Sequence, residues 1–409
     1  MLNHRLKTLK NGLRLVSAPL NSTEAVTILI SVGTGGRFES SDQSGISHFL
    51  EHLFFKGSKN YPDAFKISSE LESIGANFNA FTGEETTAFY VQSSASDFPK
   101  AFDVISDMFL NPIFDHEELE RERGVILQEA NMYRDMPQTH VQNLNQEQLY
   151  PDQPLGMNLV GNTKTIKNIS VEQIKKYREM QYSGKNTIVV ICGKNAQDYE
   201  SLVEKKFSSI KKGSKNTFVP YNDRIKPKEF VREKRKVDQT HFVLSYPAPA
   251  KDDPKKYALA VLNTLLGSGM SSRLFMQIRE KRGLAYYVRS GAAQFFDTGA
   301  FSIFAGVKKD KLDETLDIIS REIEDIKTNG PSADELERAK GNLRGQLALS
   351  LEESFEIASY IADSLYYCDE VRDLNKTIEK LNKVTISDVQ ALTKEIFDPD
   401  KKALTVIGN

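Results

Sequence analysis

The feature that most constrains the fold of this chain is an internal repeat. Glu118-Leu119-Glu120-Arg121-Glu122-Arg123-Gly124 recurs as Glu335-Leu336-Glu337-Arg338-Ala339-Lys340-Gly341, and Asp103-Val104-Ile105-Ser106 recurs as Asp317-Ile318-Ile319-Ser320. Leu71 to Gly75, ahead of an extended run, parallels Glu280 to Gly283 ahead of Leu284–Val288. Three matches in the same order along the chain mean one supersecondary plan used twice. The 409 residues are enough for two such units, each with its own core. The expected class is α+β: two homologous domains, each a mainly antiparallel sheet packed with helices. Residues 204–216 are rich in Lys and Ser, and Pro220 and Pro227 follow. We therefore place a solvated linker at 211–228, between domains 1–210 and 229–409.

Within the first copy, Asn11-Gly12 signals a hairpin and Val26–Val32 a β-branched strand. Gly33-Thr34-Gly35-Gly36 reads as a turn rather than a phosphate loop, because no G-K-[ST] follows it. Helices are expected over 63–74 and 98–109, with Asn77–Thr82 and Thr86–Val91 as strands between them. Further on, a helix is expected near Val171–Met180 and a strand at Thr187–Cys192.

The chemistry sits in Ser44–Lys56, where Ile46, Phe49, Leu50, Leu53 and Phe54 recur at helical spacing. His48 and His52 are then i and i+4 on one face, with Glu51 beside them. Two imidazoles so placed can hold a zinc ion at about 2.0–2.1 Å per nitrogen, and a neighbouring carboxylate can act as general base for hydrolysis. The order H-x-x-E-H occurs among metallopeptidase signatures. The competing reading is a helix whose histidines merely pack. A two-histidine site needs a third donor, and the acidic helix Glu117–Tyr133 offers Glu122 and Glu129 at i and i+7, about 10 Å apart along one stripe. Leu119, Val125, Ile126 and Met132 give it an apolar face, and on pattern alone either glutamate by itself reads as part of a solvated face. The repeat weighs against that: at the same offset Glu122 becomes Ala339 and Glu129 becomes Gln346, in the copy whose only histidine is His241. Joint loss of the carboxylates and the histidine pair is what a shared metal site predicts.

At these residues the chain resembles the pitrilysin/insulinase family of inverted-motif zinc metallopeptidases, and its length resembles the short, processing-peptidase-like branch. His52 and Glu129 are separated by 76 residues, 53 to 128, which matches the family spacing. The resemblance implies two domains enclosing a cleft and one Zn2+ per chain on His48, His52 and Glu129. It implies Glu51 as general base and Glu122 as a carboxylate supporting the histidines. Asn79, Ala80, Phe81 and Thr82 resemble the edge strand on which an extended peptide substrate adds as a further strand, against the plain alternative of an ordinary hairpin. Arg279 and Tyr286 resemble the residues that anchor substrate and stabilise the oxyanion from the second domain. The implied function is a zinc-dependent endopeptidase of extended peptides or unfolded segments. The alternative is a noncatalytic structural or assembly subunit of the same fold. A homodimer is expected from the branch, or pairing with a homologous chain.

Charge excludes other classes. The net charge is −2 and no basic stretch carries interleaved aromatics, so neither nucleic acid nor an acidic membrane is expected as partner. Cys192 and Cys368 form no C-x-x-C pair. Met1–Lys10 is followed by no apolar run of signal-peptide kind, and no stretch is long enough to span a bilayer. We expect a cytoplasmic protein.

Overall fold

The computed structural model describes residues 3–408; Met1 and Leu2 of the amino-terminal stretch lie outside it, as does Asn409. Through residue 219 the strands are β1 (Arg5–Thr8), β2 (Arg14–Pro19), β3 (Ala25–Val32), β4 (Asn77–Thr82), β5 (Thr87–Ser94) and β6 (Thr187–Gly193). The helices there are α1 (Ile46–Phe54), α2 (Ala64–Glu72), α3 (Phe98–Leu110), α4 (His116–Asp135), α5 (Pro137–Leu149), α6 (Thr163–Asn168), α7 (Val171–Gln181) and α8 (Glu200–Phe207). Beyond it come β7 (Phe230–Lys234), β8 (Thr240–Ala248), β9 (Ala285–Gln294), β10 (Gly299–Val307) and β11 (Ala403–Gly408). The second set of helices is α9 (Lys256–Leu266), α10 (Leu312–Asn329), α11 (Ala333–Ser350), α12 (Ser354–Cys368), α13 (Leu374–Asn382) and α14 (Ile386–Ile396).

The repeat is carried into topology. One sheet runs β1-β2-β6-β3-β5-β4 and the other β7-β11-β8-β10-β9. In each, the only parallel neighbours are the pair β2–β6 or β7–β11, and the remaining pairs are antiparallel. Among the described residues, the second sheet lacks only a counterpart of β1. The paired glycines seen in the sequence occupy the same backbone state, Gly75 at φ 64° before β4 and Gly283 at φ 59° before β9. Left-handed conformation at the end of a helical segment is where glycine costs least.

By packing, the chain forms two compact units that are not its two continuous halves. One holds the residues up to Ala130, Met157–Val219 and Ser350–Asp373; the other holds Asn131–Gly156, Pro220–Leu349 and Leu374 onward. The division 1–210 and 229–409 thus differs from the units at two exchanged segments. The cause is that each central sheet is apolar on both faces. β6 is buried along its whole length and β3 along all but its first residue, so a second cover is required. α12 supplies it, lying on β3 and β6 with Ser354 Oγ 2.8 Å from Thr27 Oγ1. In the other unit α5 lies on β8 and β11. There Asn145 donates to Val243 O at 3.2 Å, Ala403 O at 3.2 Å and Thr405 Oγ1 at 3.1 Å.

Residues 211–228 contain no helix or strand, but they are not a free tether. Gly184 N donates to Lys211 O at 2.9 Å and Asn216 N to Asn186 Oδ1 at 2.8 Å, which ties the first part to its own unit. Lys228 N donates to Gln148 O at 3.0 Å in the other. Among the described residues no helix is long and apolar enough to cross a membrane.

Candidate metal centre

α1 begins without a capping side chain of its own. Glu39 does the work from six residues upstream: its carboxylate accepts from Gly45 N at 2.7 Å and Ser47 N at 2.8 Å, amides that the first helical turn leaves unpaired. Burial pushes the Glu39 carboxyl up to about 7, against the opposing pull of those two amides. Ser47 Oγ lies 2.7 Å from Tyr177 OH, which also meets Thr34 Oγ1 at 2.9 Å, so α1 is anchored to α7 as well. Phe49, Leu50, Leu53 and Phe54 are buried beneath it. The remaining face carries His48 and His52, ring centroids 4.7 Å apart.

The face opposite is α4. Its buried residues are Leu119, Glu122 and Ile126, spaced i, i+3 and i+7, with Glu129 half-buried on the continuation of that stripe. This corrects the expected apolar face: Val125 and Met132 are each 49% exposed. The helix turns inward the stripe that contains both glutamates, which removes the solvated-face reading of Glu122 and Glu129.

Glu129 Oε2 lies 3.6 Å from His48 Nε2 and 3.5 Å from His52 Nε2, and the three donor atoms all fall within 4.8 Å of one another. A tetrahedral zinc with bonds of about 2.0–2.2 Å sets its donors about 3.3–3.6 Å apart, and the two distances from Glu129 agree with that spacing. On the far side of the ring His52 Nδ1 meets Glu122 Oε2 at 3.0 Å, and Glu122 Oε1 pairs with Lys56 Nζ at 2.7 Å. A carboxylate on the distal nitrogen fixes the tautomer that leaves Nε2 as the donor. His48 Nδ1 is buried with no hydrogen-bond partner among the described residues.

The electrostatics of the bare side chains run the same way. Burial and the neighbouring His52 lower the His48 imidazole to about 4, leaving it neutral with a lone pair to donate. Burial acts against protonation of His52 too, but Glu122 and Glu129 outweigh it and raise that ring to about 9. A cation is favoured between these groups. Glu122 is held below the usual carboxylate range: burial opposes this, and the His52 and Lys56 contacts prevail.

Glu51 lies beside the triad, its carboxyl raised by burial and drawn down in part by a hydrogen bond from Thr82 Oγ1. Thr82 closes β4, the edge strand of its sheet. Asn77, Asn79 and Phe81 are exposed on it and Phe78, Ala80 and Thr82 half-buried. Ala80 N donates to its neighbour Asn79 Oδ1 at 2.9 Å. The turn after β4 is fixed by the glycine cluster: Gly36 N donates to Gly83 O at 3.2 Å and Arg37 N to Glu84 O at 2.8 Å. A Cβ on Gly35 would come 2.1 Å from Gly83 O, so only glycine permits this approach. The cluster is a docking turn, as expected, and not a phosphate loop.

His48, Glu51, His52, Glu122, Glu129 and Thr82 are therefore brought together. Arg279 and Tyr286 belong to the other unit. Arg279 is exposed on a π-helical turn (Phe275–Glu280), with its guanidinium 5.0 Å from the Phe275 ring centre. Tyr286 is 75% exposed on β9, the edge strand of the second sheet. Reading the sequence overlooked Glu39, Lys56 and the hydroxyl of Thr82. Only Lys56, i+4 from His52, had a local signal.

Two facing helices that present His, His and Glu within 4.8 Å of one another, with Glu51 alongside, form a candidate zinc-binding centre on a duplicated α+β fold. The chain matches the model described as Insulinase (Peptidase family M16) over residues 14–163 and that described as Peptidase M16 inactive domain over residues 168–343. An uncharacterized zinc protease of Bacillus subtilis is 32% identical over 396 residues, covering 96% of this chain and 95% of that protein. One of Rickettsia felis is 34% identical over 402 residues, covering 97% and 95%. Among solved structures, a protease from Helicobacter pylori matches with TM-score 0.93 at 26% identity, covering 100% of this chain and 99% of its own. A peptidase M16 inactive domain from Pseudomonas fluorescens shares the fold with TM-score 0.92 at 20% identity, covering 100% and 98%. The chain belongs to peptidase family M16, the insulinase family.

Proposed function

We propose that this chain is a zinc-dependent endopeptidase that hydrolyses extended peptides or unfolded segments. The observation that carries the reading is the position of Glu129, whose one oxygen is near-equidistant from the two Nε2 atoms. His48, His52 and Glu129 would hold the ion. Zinc in such a site supplies Lewis acidity, bringing the pKa of a water toward about 7 and polarising a carbonyl. Glu51 takes the proton of the attacking water and returns it to the leaving amine. Burial suits it to the task, since a carboxylate whose pKa is raised accepts a proton more readily.

The open edge of β4 supports an extended substrate: a peptide there gains main-chain hydrogen bonds irrespective of its side chains. Asn79, Ala80, Phe81 and Thr82 would form that rail. We carry with the proposal the roles of Arg279 and Tyr286, the homodimer or homologous partner chain, the processing-peptidase-like branch and the cytoplasmic location. These rest on the resemblance. The match to an inactive-domain model covers 168–343, which contains none of the metal donors, so it does not favour a noncatalytic subunit.

Glu51→Gln tests the reading. Peptide cleavage should fall by about 10²–10⁴-fold with zinc content unchanged. Undiminished turnover at full zinc would contradict it.

A further inference from the structure

Glu51 is set one residue from a metal donor, yet what aims its carboxylate comes from another element. Thr82 Oγ1 donates to Glu51 Oε2. Glu51 Oε1 has no hydrogen-bond partner among the described residues. The hydroxyl is itself held rigidly. Thr82 is the last residue of β4 and faces Thr87 across the hairpin. Gly83 N donates to Thr86 O at 2.8 Å, and the carbonyls of Gly83 and Glu84 are clamped by the amides of Gly36 and Arg37. Being β-branched, threonine has a restricted χ1, which holds Oγ1 in place beside the carboxylate.

We infer that Thr82 is the positioning residue for the general base: by occupying Glu51 Oε2 it leaves Oε1 as the oxygen that accepts the proton, and orients that oxygen. This deepens the peptidase reading and rests on it. It also gives β4 a second task. The strand whose outer edge would align an extended peptide is the same strand whose terminal side chain aims the base, so substrate register and base orientation share one frame. A carboxylate on a flexible side chain loses rate when its rotamers multiply, because only the aligned fraction reacts. Of the polar residues on β4, only Thr82 has a side chain that contacts a group of the proposed chemistry.

The test is steady-state kinetics with a fluorogenic peptide on the zinc-loaded full-length chain carrying Thr82→Val or Thr82→Ser. Valine keeps shape and branching and removes only the donor. We expect kcat to fall about 10-fold or more in Thr82→Val with KM within about 2-fold, and Thr82→Ser to recover kcat to within about 3-fold. Zinc content should match wild type in both. An unchanged kcat in Thr82→Val overturns the inference, as does a loss expressed in KM alone or one that serine fails to rescue, because each would assign the residue to strand shape or substrate contact. Glu51→Gln in parallel separates the levels: if that variant is inactive while Thr82→Val matches wild type, only the positioning role fails. If Glu51→Gln keeps full turnover, the general-base reading itself fails.

Discussion

The two units place α1 and α9 after corresponding strands, and α4 and α11 at corresponding places in the repeat, yet they fill these positions with opposite chemistry. Counted back from Gly57 and Gly267, His48, Glu51 and His52 stand where the second unit has Ala258, Val261 and Leu262. Those three are buried in its main hydrophobic cluster. On the paired helix, Leu119, Glu122, Ile126 and Glu129 correspond to Leu336, Ala339, Leu343 and Gln346. Leu336 and Ala339 are buried in that same cluster, with Leu343 packed against it. In one unit these positions are ordinary apolar core, and in the other they carry imidazoles and carboxylates within reach of one another. Burying unpaired carboxylates and imidazoles is costly, so the polar version is stable only with mutual pairing or with a cation between them. The contrast shows that the fold does not need the site; the site uses a seam the fold already provides.

Copying the apolar unit into the polar one should break function first. His48→Ala, which installs the residue of position 258, removes a proposed zinc donor and should lower peptide cleavage at least about 10³-fold, a barrier change of about 4 kcal/mol. Activity within tenfold of wild type would mean that the comparison misplaces the metal. A second comparison lies within α4. Ile126→Ala should destabilise the protein by about 2–4 kcal/mol, while Val125→Ala, one residue away and 49% exposed, should stay within about 0.5 kcal/mol. Urea unfolding of the two variants checks which stripe faces inward; equal losses would return α4 to the face first read from its sequence.

A third prediction concerns the cap of α1. The Glu39 carboxyl is raised to about 7 by burial, above the range it has when unfolded, so the folded state holds the proton more tightly. Its contribution to stability is therefore fully present below about pH 4.5 and lost as pH rises through about 7. Glu39→Gln should remove that dependence: the unfolding free energy of wild type should fall relative to the variant by up to about 3 kcal/mol between pH 5 and 8. Parallel curves across that range would show that Glu39 does not titrate there.

Much of this was legible in the sequence for local reasons. The i, i+4 histidines, the Asn11-Gly12 hairpin and the run over 187–192 each follow from a short period or a turn residue. The repeat then raised Glu129 from an ordinary surface acid to a candidate donor, by showing what disappears with the histidines. What could not be read was non-local. The face of α4 was misjudged because Glu122, counted as polar, is buried by partners supplied from α1 and the turn after it, and hydrophobic patterning cannot see a pairing with His52 and Lys56. The exchange of α5 and α12 between units escaped because the need for a second cover is written in β3 and β6, whereas α12 lies far beyond them in the chain. Glu39 and Thr82 act through single hydrogen bonds across turns, which leave no periodic trace.

The most direct test of the account is metal analysis of the purified chain and of Glu129→Gln, the substitution that copies Gln346, at matched circular dichroism. About one zinc per wild-type chain is predicted, falling below about 0.1 in the variant, since a neutral amide is a poor zinc ligand. Two ions per wild-type chain, or full zinc retained by Glu129→Gln, would contradict a single centre built by α1 and α4 and absent from the second unit.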